Sequence, residues 1–267
     1  MQEEPGLVVE KSTDGIVQIR LNRPDRLNVL GVDLTDALLA AITDAIAGNA
    51  RVIVMRGTGR AFCAGADLKE RRTMAEAARV KHNRAINAAV DALGAAPMPT
   101  VCAINGLALG GGCEIALACD LRYAAEDAQI GLTEARIGAI PGAGGTQRLP
   151  RVIGATRALE LILTGEPVTG KRAAEIGLIN AAVAADQLDA HVMRIVTVLA
   201  SRSPSGARTA KRVVYGGLET TLANGLALEA GALKEILTSA DYAEGLAAFA
   251  EKRPPRFGTS MSTSTAE

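Results

Sequence analysis

The chain has 267 residues, of which 48% are hydrophobic, so it can bury a large core and global disorder is excluded. Its 29 basic and 29 acidic side chains give a formal net charge of zero, which argues against a protein whose main task is to coat nucleic acid or an anionic membrane. With three Tyr, three Phe and no Trp, the core has to be built from Ala, Leu, Ile and Val.

The first hundred residues alternate apolar runs with amphipathic segments. Residues 15–21 predict a strand, and the helix that follows has Asp33 as its expected N-cap. Residues 52–55 and 100–104 predict strands that are buried on both faces. Between these two strands, Thr73 and Glu76 predict a capping box for a long helix that runs to about Leu93.

Strands that alternate with helices predict an α/β fold with mostly parallel strand pairing. From about residue 186 onward the pattern is almost entirely helical, up to the stop at Pro254-Pro255. We therefore expect a core over residues 1–195, a helical C-terminal region over 196–258, and a disordered tail over 259–267.

The cysteines and histidines give no pattern of a metal or disulfide site. The cysteines lie in apolar stretches without a CxxC pair and are expected to be buried thiols, and neither histidine has metal-ligand spacing. These residues are Cys63, Cys102, Cys113, Cys119, His82 and His191. We expect no metal. No apolar run approaches the ~18 residues of a membrane span, and the N-terminus lacks signal or transit features. The sequence therefore predicts a soluble, cytoplasmic protein.

Several nucleotide-binding and hydrolase motifs are incomplete. Residues 165–171, GEPVTGK, nearly match a phosphate-binding loop, but Arg172 stands where Ser or Thr is required. Thr169 is better explained as a helix cap. The glycine clusters at 110–112 and 142–145 do not complete GxGxxG, and no GxSxG motif is present.

Glu114 is the strongest candidate for a catalytic residue. It follows three glycines, and the residues after it, 115–119, are apolar on every face, so this helix is expected to be buried. A buried carboxyl has a raised pKa and is typical of proton transfer. The alternative is a carboxylate that complements the helix dipole.

Three further positions are less decided by the residues alone. Glu134 is equally compatible with a reactive carboxyl and with the start of a solvated turn. Asp67, three residues before Glu70, is typical of a helix cap. Ala64 and Gly111 lie beside helix starts, where backbone N–H groups can approach a ligand oxygen closely.

Four blocks of the sequence together resemble the enoyl-CoA hydratase/isomerase (crotonase) superfamily over nearly the whole chain. They are LNRPDRLNVL, FCAGADLKE, ALGGGCEIALACD and IPGAGGTQRLPR, in the expected order and spacing. The resemblance implies a crotonase-like spiral of β-β-α turns, with the CoA and acyl site in the core, and a C-terminal helical trimerisation region that forms homotrimers or homohexamers. It also implies that CoA enters as part of the substrate and that no cofactor is needed.

The resemblance further implies hydration of a 2-enoyl-CoA to a 3-hydroxyacyl-CoA, in fatty-acid or branched-chain acyl-CoA metabolism. In hydratases of the family two glutamates flank the double bond, and these match Glu114 and Glu134. Two backbone N–H groups bind the thioester oxygen, and by motif we assign them to Ala64 and Gly111.

Substrate-binding residues are also expected by resemblance. The segment Ala66, Asp67 and Leu68 follows the first oxyanion residue. Arg26 has the position of a basic residue that approaches CoA phosphates. Phe249 and Lys252 resemble the segment that reaches the adenine end of CoA on a neighbouring subunit. For Arg26 and Lys252 the alternative is solvated surface charge.

Two residues near the expected acyl pocket differ from the pattern of the family. Thr133 stands where many hydratases have Pro, and Arg136 is unusual near an acyl chain. Arg136 either pairs with an acyl carboxylate or, as we favour, lies on the surface. The stretch ending at Arg71 resembles the methylglutaconyl-CoA hydratase branch, which leaves that activity and an enoyl-CoA isomerase as alternatives.

RNA binding is a minor alternative, because that branch also has RNA-binding members. It depends on one predicted helix with a basic face formed by Arg71, Arg72, Arg79, Lys81 and Arg84. The zero net charge and the absence of interleaved aromatic residues argue against it, so a nucleic-acid partner is not expected.

Overall fold

The computed structural model describes residues 2–4 and 6–258, and the predicted disordered tail at 259–267 lies outside them. The strands in the described residues are β1 (Gln2–Glu4), β2 (Leu7–Lys11), β3 (Ile16–Leu21), β4 (Val52–Gly57), β5 (Ala61–Cys63), β6 (Thr100–Ile104), β7 (Leu107–Leu109), β8 (Leu121–Ala125), β9 (Gln129–Gly131), β10 (Val168–Thr169) and β11 (Ala181–Val183). The strands predicted near 15–21, 52–55 and 100–104 are thus confirmed.

These strands form two sheets. The larger has the order β1-β2-β3-β4-β6-β8-β11, antiparallel up to β3 and parallel from β3 onward. The smaller has the order β10-β9-β7-β5, in which only β10 is antiparallel to its neighbour. Successive strand pairs β4-β5, β6-β7 and β8-β9 each add one strand to both sheets, which confirms the predicted α/β spiral of β-β-α turns.

Helices cover these sheets and form the C-terminal region. They are α1 (Val32–Ala47), α2 (Leu68–Thr73), α3 (Glu76–Gly94), α4 (Gly111–Ala118), α5 (Gly145–Ile153), α6 (Ala155–Thr164), α7 (Gly170–Glu175), α8 (Leu188–Ala200), α9 (Pro204–Leu218), α10 (Leu222–Leu237) and α11 (Ala240–Ala250). Short 3-10 turns occupy Pro24–Arg26, Glu134–Ile137 and Ala185–Gln187. The expected helical C-terminal region is therefore present.

The molecule has two apolar clusters. The main one lies between the sheets and helices α1, α3 and α4, and it contains the four cysteines, all buried and unbridged as expected. The second lies under α8, where Val192 and Val196 pack against Val54 and Val101 of the larger sheet. The domain boundary predicted after residue 195 falls inside α8.

Local capping chemistry decides some helix starts but not others. Asp67 and Thr169 are N-caps as predicted, accepting hydrogen bonds from the N–H groups three residues later. The prediction for Asp33 is wrong, because α1 begins one residue earlier, at Val32, and Asp33 lies in its first turn. The capping box at Thr73 is also wrong, because Thr73 ends α2 and its hydroxyl donates to Glu70 O at 2.9 Å.

No helix within residues 2–4 and 6–258 is long and apolar enough to cross a bilayer.

Candidate active site

The segments that carry the candidate residues converge on one pocket of about 130 Å³. It forms where the loop after β5, the N-terminus of α4 and the 3-10 turn Glu134–Ile137 meet. Both glutamates line it, as do the candidate residues of the two glycine-containing loops, Ala64, Ala66, Leu68 and Gly111. Residues that are far apart in the sequence are therefore brought together as one site.

Glu114 is held rigidly at the base of this pocket. It lies in the first turn of α4, a helix with every residue buried, and is itself only 3% exposed. Its Oε1 accepts hydrogen bonds from the N–H groups of Ala143 at 2.6 Å and Gly145 at 2.9 Å. Burial raises the pKa of Glu114, and these two hydrogen bonds partly offset that effect because they favour the ionised form. The predicted burial of Glu114 is confirmed.

Glu134 has a different environment. It is half-buried at the start of its 3-10 turn, and its Oε2 is buried without a hydrogen-bond partner in the described chain. Desolvation, helped by the nearby charge of Glu114, raises the pKa of Glu134 to about 7. The sequence left this residue undecided between reactive carboxyl and solvated turn, and the structure puts it in the pocket.

The two carboxyl groups are therefore suited to opposite protonation states. Glu114 has two fixed N–H donors on one oxygen, which stabilise a carboxylate. The Glu134 Oε2 has no partner in the described residues, and its pKa of about 7 keeps a substantial fraction of Glu134 protonated near neutrality. Such a pair can accept a proton at one point of a substrate and donate one at another.

The loop after β5 corrects one assignment. The Ala64 N–H donates to Leu27 O at 3.0 Å, so it is not free to bind a ligand oxygen. Asp67 N–H donates to Leu30 O at 3.0 Å, and the Gly65 N–H is hydrogen-bonded to the Cys63 thiol. Among the four N–H groups of residues 64–67, only that of Ala66 has no partner in the described residues.

Ala66 lies next to the other expected donor, Gly111. A Cβ built on Gly111 would lie 3.8 Å from Ala66 N, and the Gly111 N–H, at the first position of α4, likewise has no partner in the described part of the chain. This close approach depends on Gly65, which has φ +92°, and whose added Cβ would lie 2.8 Å from Leu109 O. The candidate donor pair is therefore Ala66 and Gly111 rather than Ala64 and Gly111.

The segment LNRPDRLNVL, residues 21–30, contacts the loop after β5 and stabilises it. Asn28 is fully buried, its Nδ2 donates to Thr58 O and Ala61 O, and its Oδ1 accepts from Arg23 N–H. Arg26 forms an ion pair with Asp67, the buried N-cap of α2. The Asp67 carboxylate is thus occupied, and about half of the Arg26 side chain is exposed, so a CoA contact of Arg26 stays a prediction.

Besides Arg26 and Asp67, three further predicted positions lie outside the pocket. Phe249 is 86% exposed at the end of α11, and Lys252 is exposed just beyond it. Neither lines the glutamate pocket of its own chain, so their contact with CoA on a neighbouring subunit stays a prediction. Arg136 lies on the surface, as favoured, and pairs with Glu166 at 2.6 Å.

Arg71 is a pocket residue that the sequence analysis placed elsewhere. The expected basic helix is two helices, α2 and α3, and the Arg71 side chain turns inward, where it donates to His82 Nδ1 at 3.4 Å and Asn83 Oδ1 at 3.2 Å. Its charge lowers the pKa of both glutamates. The sequence feature that could have identified Arg71 as a pocket residue is its i,i+3 spacing from Leu68, which lines the same pocket.

The spiral core, its C-terminal helices and this pocket define a crotonase-fold protein. The chain belongs to the enoyl-CoA hydratase/isomerase family, whose sequence model matches residues 11–260.

Its relatives agree with this assignment. The 1.8 Å crystal structure of enoyl-CoA hydratase from Bacillus anthracis has a TM-score of 0.92 at 42% identity, covering 95% of this chain and 99% of that chain. Enoyl-CoA hydratase domain-containing protein 2, mitochondrial, of Bos taurus is 42% identical over 249 residues, 91% of this chain and 84% of that protein. Methylglutaconyl-CoA hydratase, mitochondrial, of Homo sapiens is 40% identical over 256 residues, 93% of this chain and 75% of that protein.

Proposed function

We propose that the protein hydrates a 2-enoyl-CoA thioester to a 3-hydroxyacyl-CoA. The observation that carries the proposal is the pair of glutamates with different environments, Glu114 and Glu134, in one pocket with the N–H groups of Ala66 and Gly111, which have no partner among the described residues. Family membership supports the acyl-CoA chemistry, and the pair of carboxyl groups supports hydration because it can supply both a base and an acid.

The proposed reaction adds one water across the double bond. The Glu114 carboxylate takes a proton from the water, and the water oxygen bonds to C3. The π electrons of the double bond move toward the thioester, whose oxygen becomes negative. The proton on Glu134 is then transferred to C2, and the thioester carbonyl re-forms. The proton on Glu114 passes back to Glu134 through the next water, which restores both groups.

The negative thioester oxygen is stabilised by the two N–H groups of Ala66 and Gly111. Removing one such donor costs about 2.7–4 kcal/mol in other enzymes, so this is the largest single contribution we assign. The Gly111 donor is at the N-terminus of α4, where the helix dipole adds to its effect. No metal or redox cofactor enters this proposal.

A homotrimer or homohexamer is part of the proposal. Helices α9–α11 expose large apolar side chains that a single chain leaves in water, among them Leu218, Leu222, Leu246 and Phe249. Exposed apolar patches of this kind typically mark protein–protein contacts. We place Phe249 and Lys252, with Arg26, at the CoA of the assembled protein, and we expect a cytoplasmic location.

The direct test follows the loss of the conjugated thioester absorbance of crotonyl-CoA. The wild type is compared with Glu114→Gln, with Glu134→Gln, and with Glu160→Gln as a control on the exposed surface of α6. Hydration predicts fast loss in the wild type and the control, and near-abolition in both pocket variants. An isomerase that needs one glutamate would instead keep its activity on isomerisable substrates in one of these variants. A folded wild type that is inactive on crotonyl-CoA and on branched and carboxylated enoyl-CoAs contradicts the proposal.

A second candidate, hydration of an enoyl-CoA that carries a carboxylate on its acyl chain, is favoured by Arg71. Its guanidinium is a positive group inside an acyl pocket, and the human methylglutaconyl-CoA hydratase is among the relatives. For that substrate class, Arg71→Met should lower kcat/KM about 100-fold more than for crotonyl-CoA. Arg72→Met, on the exposed neighbour, is the matched control. Equal losses on both substrates would exclude this candidate.

A further inference from the structure

The loop that binds Glu114 is itself held by a second side chain. Ala143 donates its N–H to Glu114 Oε1 at 2.6 Å, and its carbonyl oxygen accepts a hydrogen bond from Arg148 Nη1 at 3.0 Å. A short polar chain therefore runs from Arg148 through the backbone of one residue to the carboxyl of Glu114. Gly145 adds its own N–H to the same oxygen at 2.9 Å, one turn of α5 before Arg148.

Arg148 is anchored at its other end. Its Nη2 forms an ion pair with Asp91 Oδ1 of α3 at 2.8 Å. The guanidinium lies directly over Gly144, where an added Cβ would be only 2.0 Å from Nη1, and over Gly94, where a Cβ would be 3.4 Å from Nη2. The planar group thus fills a slot that two glycines leave open between α3 and the loop. About three quarters of the side chain is buried, so a shorter or longer side chain does not fill the same space.

The charge of Arg148 also acts on Glu114. Burial raises the pKa of Glu114, and the positive charge of Arg148 opposes that rise. The other charged groups that face Glu114 are Arg71, which acts in the same sense, and Glu134, which is coupled to Glu114 by repulsion. Without Arg148, Glu114 would lose both the fixed position of one hydrogen-bond donor and part of the field that keeps it ionised.

We propose that Arg148 is a positioning residue that, clamped by Asp91, fixes the loop of residues 142–145 and thereby orients the Glu114 carboxylate. The proposal rests on the proposed function in one respect: the consequence for turnover requires Glu114 to act as the base. The other parts of the proposal, that Arg148 orients Glu114 through Ala143 and that its charge favours the ionised carboxylate, are independent of the substrate.

The first experiment measures kcat and KM for crotonyl-CoA across pH in Arg148→Met, Arg148→Lys, Asp91→Asn and Arg151→Met. Arg151 lies one turn further along α5, is exposed and contacts Gln147 and Glu219 rather than the loop, so it is the matched control. We expect Arg148→Met to lower kcat about 10- to 100-fold with KM within about twofold, because a misplaced base costs the chemical step. The acid limb of the pH profile of Arg148→Met should also move to higher pH, because the charge that lowers the pKa of Glu114 is removed.

The conservative variants separate positioning from charge. Arg148→Lys keeps the charge but not the planar fork, so it should restore the acid limb while kcat stays several-fold low. Asp91→Asn removes the charge of the anchor but keeps an acceptor oxygen, so it should lower kcat less than Arg148→Met. Arg151→Met should equal the wild type. An unchanged acid limb in Arg148→Met, or a kcat within twofold of the wild type, overturns the proposal. If Arg148→Met does not fold, Arg148→Lys and Asp91→Asn decide by kcat alone, and a kcat within twofold of the wild type in both of them overturns the proposal.

A second readout does not depend on turnover. The carboxyl stretch of Glu114 is followed by infrared titration, assigned as the band that Glu114→Gln removes. We expect its midpoint at higher pH in Arg148→Met than in the wild type, and near the wild-type position in Arg148→Lys. A coincident midpoint in wild type and Arg148→Met would contradict the inference. If the wild type does not turn over crotonyl-CoA but Arg148→Met still shows this shift in midpoint, only the proposed function is contradicted.

Discussion

The N–H group of Ala64 donates to the carbonyl oxygen of Leu27 at 3.0 Å. This hydrogen bond fixes the loop after β5 against the first sequence block and removes Ala64 from the set of possible ligand donors. It leaves the next outward N–H, that of Ala66, facing the pocket beside Gly111. The proposed oxyanion site is thus formed by two chain segments that converge, each with one N–H group that has no partner among residues 2–4 and 6–258.

Removal of one donor should reduce turnover strongly. Gly111 is the first residue of α4, a position where proline is tolerated, and Gly110 has φ +52° and ψ −122°, the mirror image of the extended conformation that precedes proline. Gly111→Pro deletes the N–H and should lower kcat about 10²- to 10³-fold. Gly111→Ala keeps the N–H and adds a Cβ 3.3 Å from Leu30 Cδ1, so it controls for crowding.

Steady-state kinetics on crotonyl-CoA measures this difference, with circular dichroism as the check on folding. The informative quantity is the ratio of kcat between the two Gly111 variants, because both carry the same added Cβ and only proline replaces the N–H hydrogen by a ring carbon. A ratio near one would mean that the Gly111 N–H does not bind the thioester oxygen.

Activity should fall on the alkaline side of neutrality. Glu134 has a pKa of about 7 and must be protonated to donate to C2, so kcat/KM should decline tenfold per pH unit well above that value. Glu114 must be ionised, and because its pKa is raised by burial, the acid limb should lie above the range of an ordinary glutamate. The full pH profile of kcat/KM on crotonyl-CoA is the measurement.

The assignment of the alkaline limb can be checked in one variant. Glu134→Gln cannot titrate, so its residual activity should show no decline above neutrality, whereas Glu160→Gln should keep the wild-type limb. Persistence of the limb in Glu134→Gln would assign it to another group.

Much of the fold could be predicted from the sequence, because it depends on local patterns. The buried strands follow from short apolar runs, and the caps at Asp67 and Thr169 depend on side chains that bond within three residues. The buried Glu114 followed from the apolar residues after it. Where the helix start depends on longer-range packing, as at Asp33 and Thr73, the local pattern gave the wrong residue.

The details of the site depend on contacts between distant segments. Whether Ala64 or Ala66 offers its N–H is decided by Leu27, 37 residues earlier in the chain than Ala64, and no local pattern contains that information. Arg71 was expected on a solvated face because it was assigned to one long helix. The break at Met74, which has extended dihedral angles, turns α2 so that Arg71 points at the glutamates.

Asn28 should contribute strongly to stability. It is fully buried with φ +56°, and its side chain makes three hydrogen bonds to backbone groups of Arg23, Thr58 and Ala61. Asn28→Ala removes the side-chain partner of the Arg23 N–H and Thr58 O, whereas Ala61 O keeps a hydrogen bond from Asn105 Nδ2 at 3.3 Å. The substitution should lower the free energy of unfolding by about 3 kcal/mol. Because Asn28 holds the loop that carries Leu27, kcat should fall as well.

Asn49→Ala is the matched control for backbone strain. Asn49 has a similar φ of +54° but is exposed, with one side-chain contact at 3.4 Å to Arg208. Asn49→Ala should lower the free energy of unfolding by about 1 kcal/mol, which is the cost of holding an alanine in the left-handed conformation. Urea unfolding at one fixed protein concentration measures both, since oligomerisation makes stability concentration-dependent. Equal costs in the two variants would show that the Asn28 hydrogen bonds add nothing.

Lys211 should stabilise the packing of the C-terminal helices against the core. Its Nζ contacts Asp120 Oδ2 at 2.8 Å and Met98 O at 3.2 Å, and both charged side chains are largely buried, 11% and 16% exposed. Lys211→Met leaves the Asp120 carboxylate without its cation and should destabilise the protein by about 3 kcal/mol. Lys171→Met removes an exposed pair with Glu126 at 3.6 Å and should cost less than about 1 kcal/mol.

The double variant Lys211→Met with Asp120→Asn distinguishes a lost attraction from a stranded charge. If the cost comes mainly from the unpaired carboxylate, removing its charge should recover part of the stability lost in Lys211→Met, although Asp120 also accepts hydrogen bonds from Thr100 and Tyr215. Thermal unfolding of the single and double variants gives the coupling energy. A double variant whose loss of stability equals the sum of both single losses would mean that Lys211 and Asp120 contribute independently, so that the Asp120 hydrogen bonds, and not the ion pair, hold α9 against the sheet.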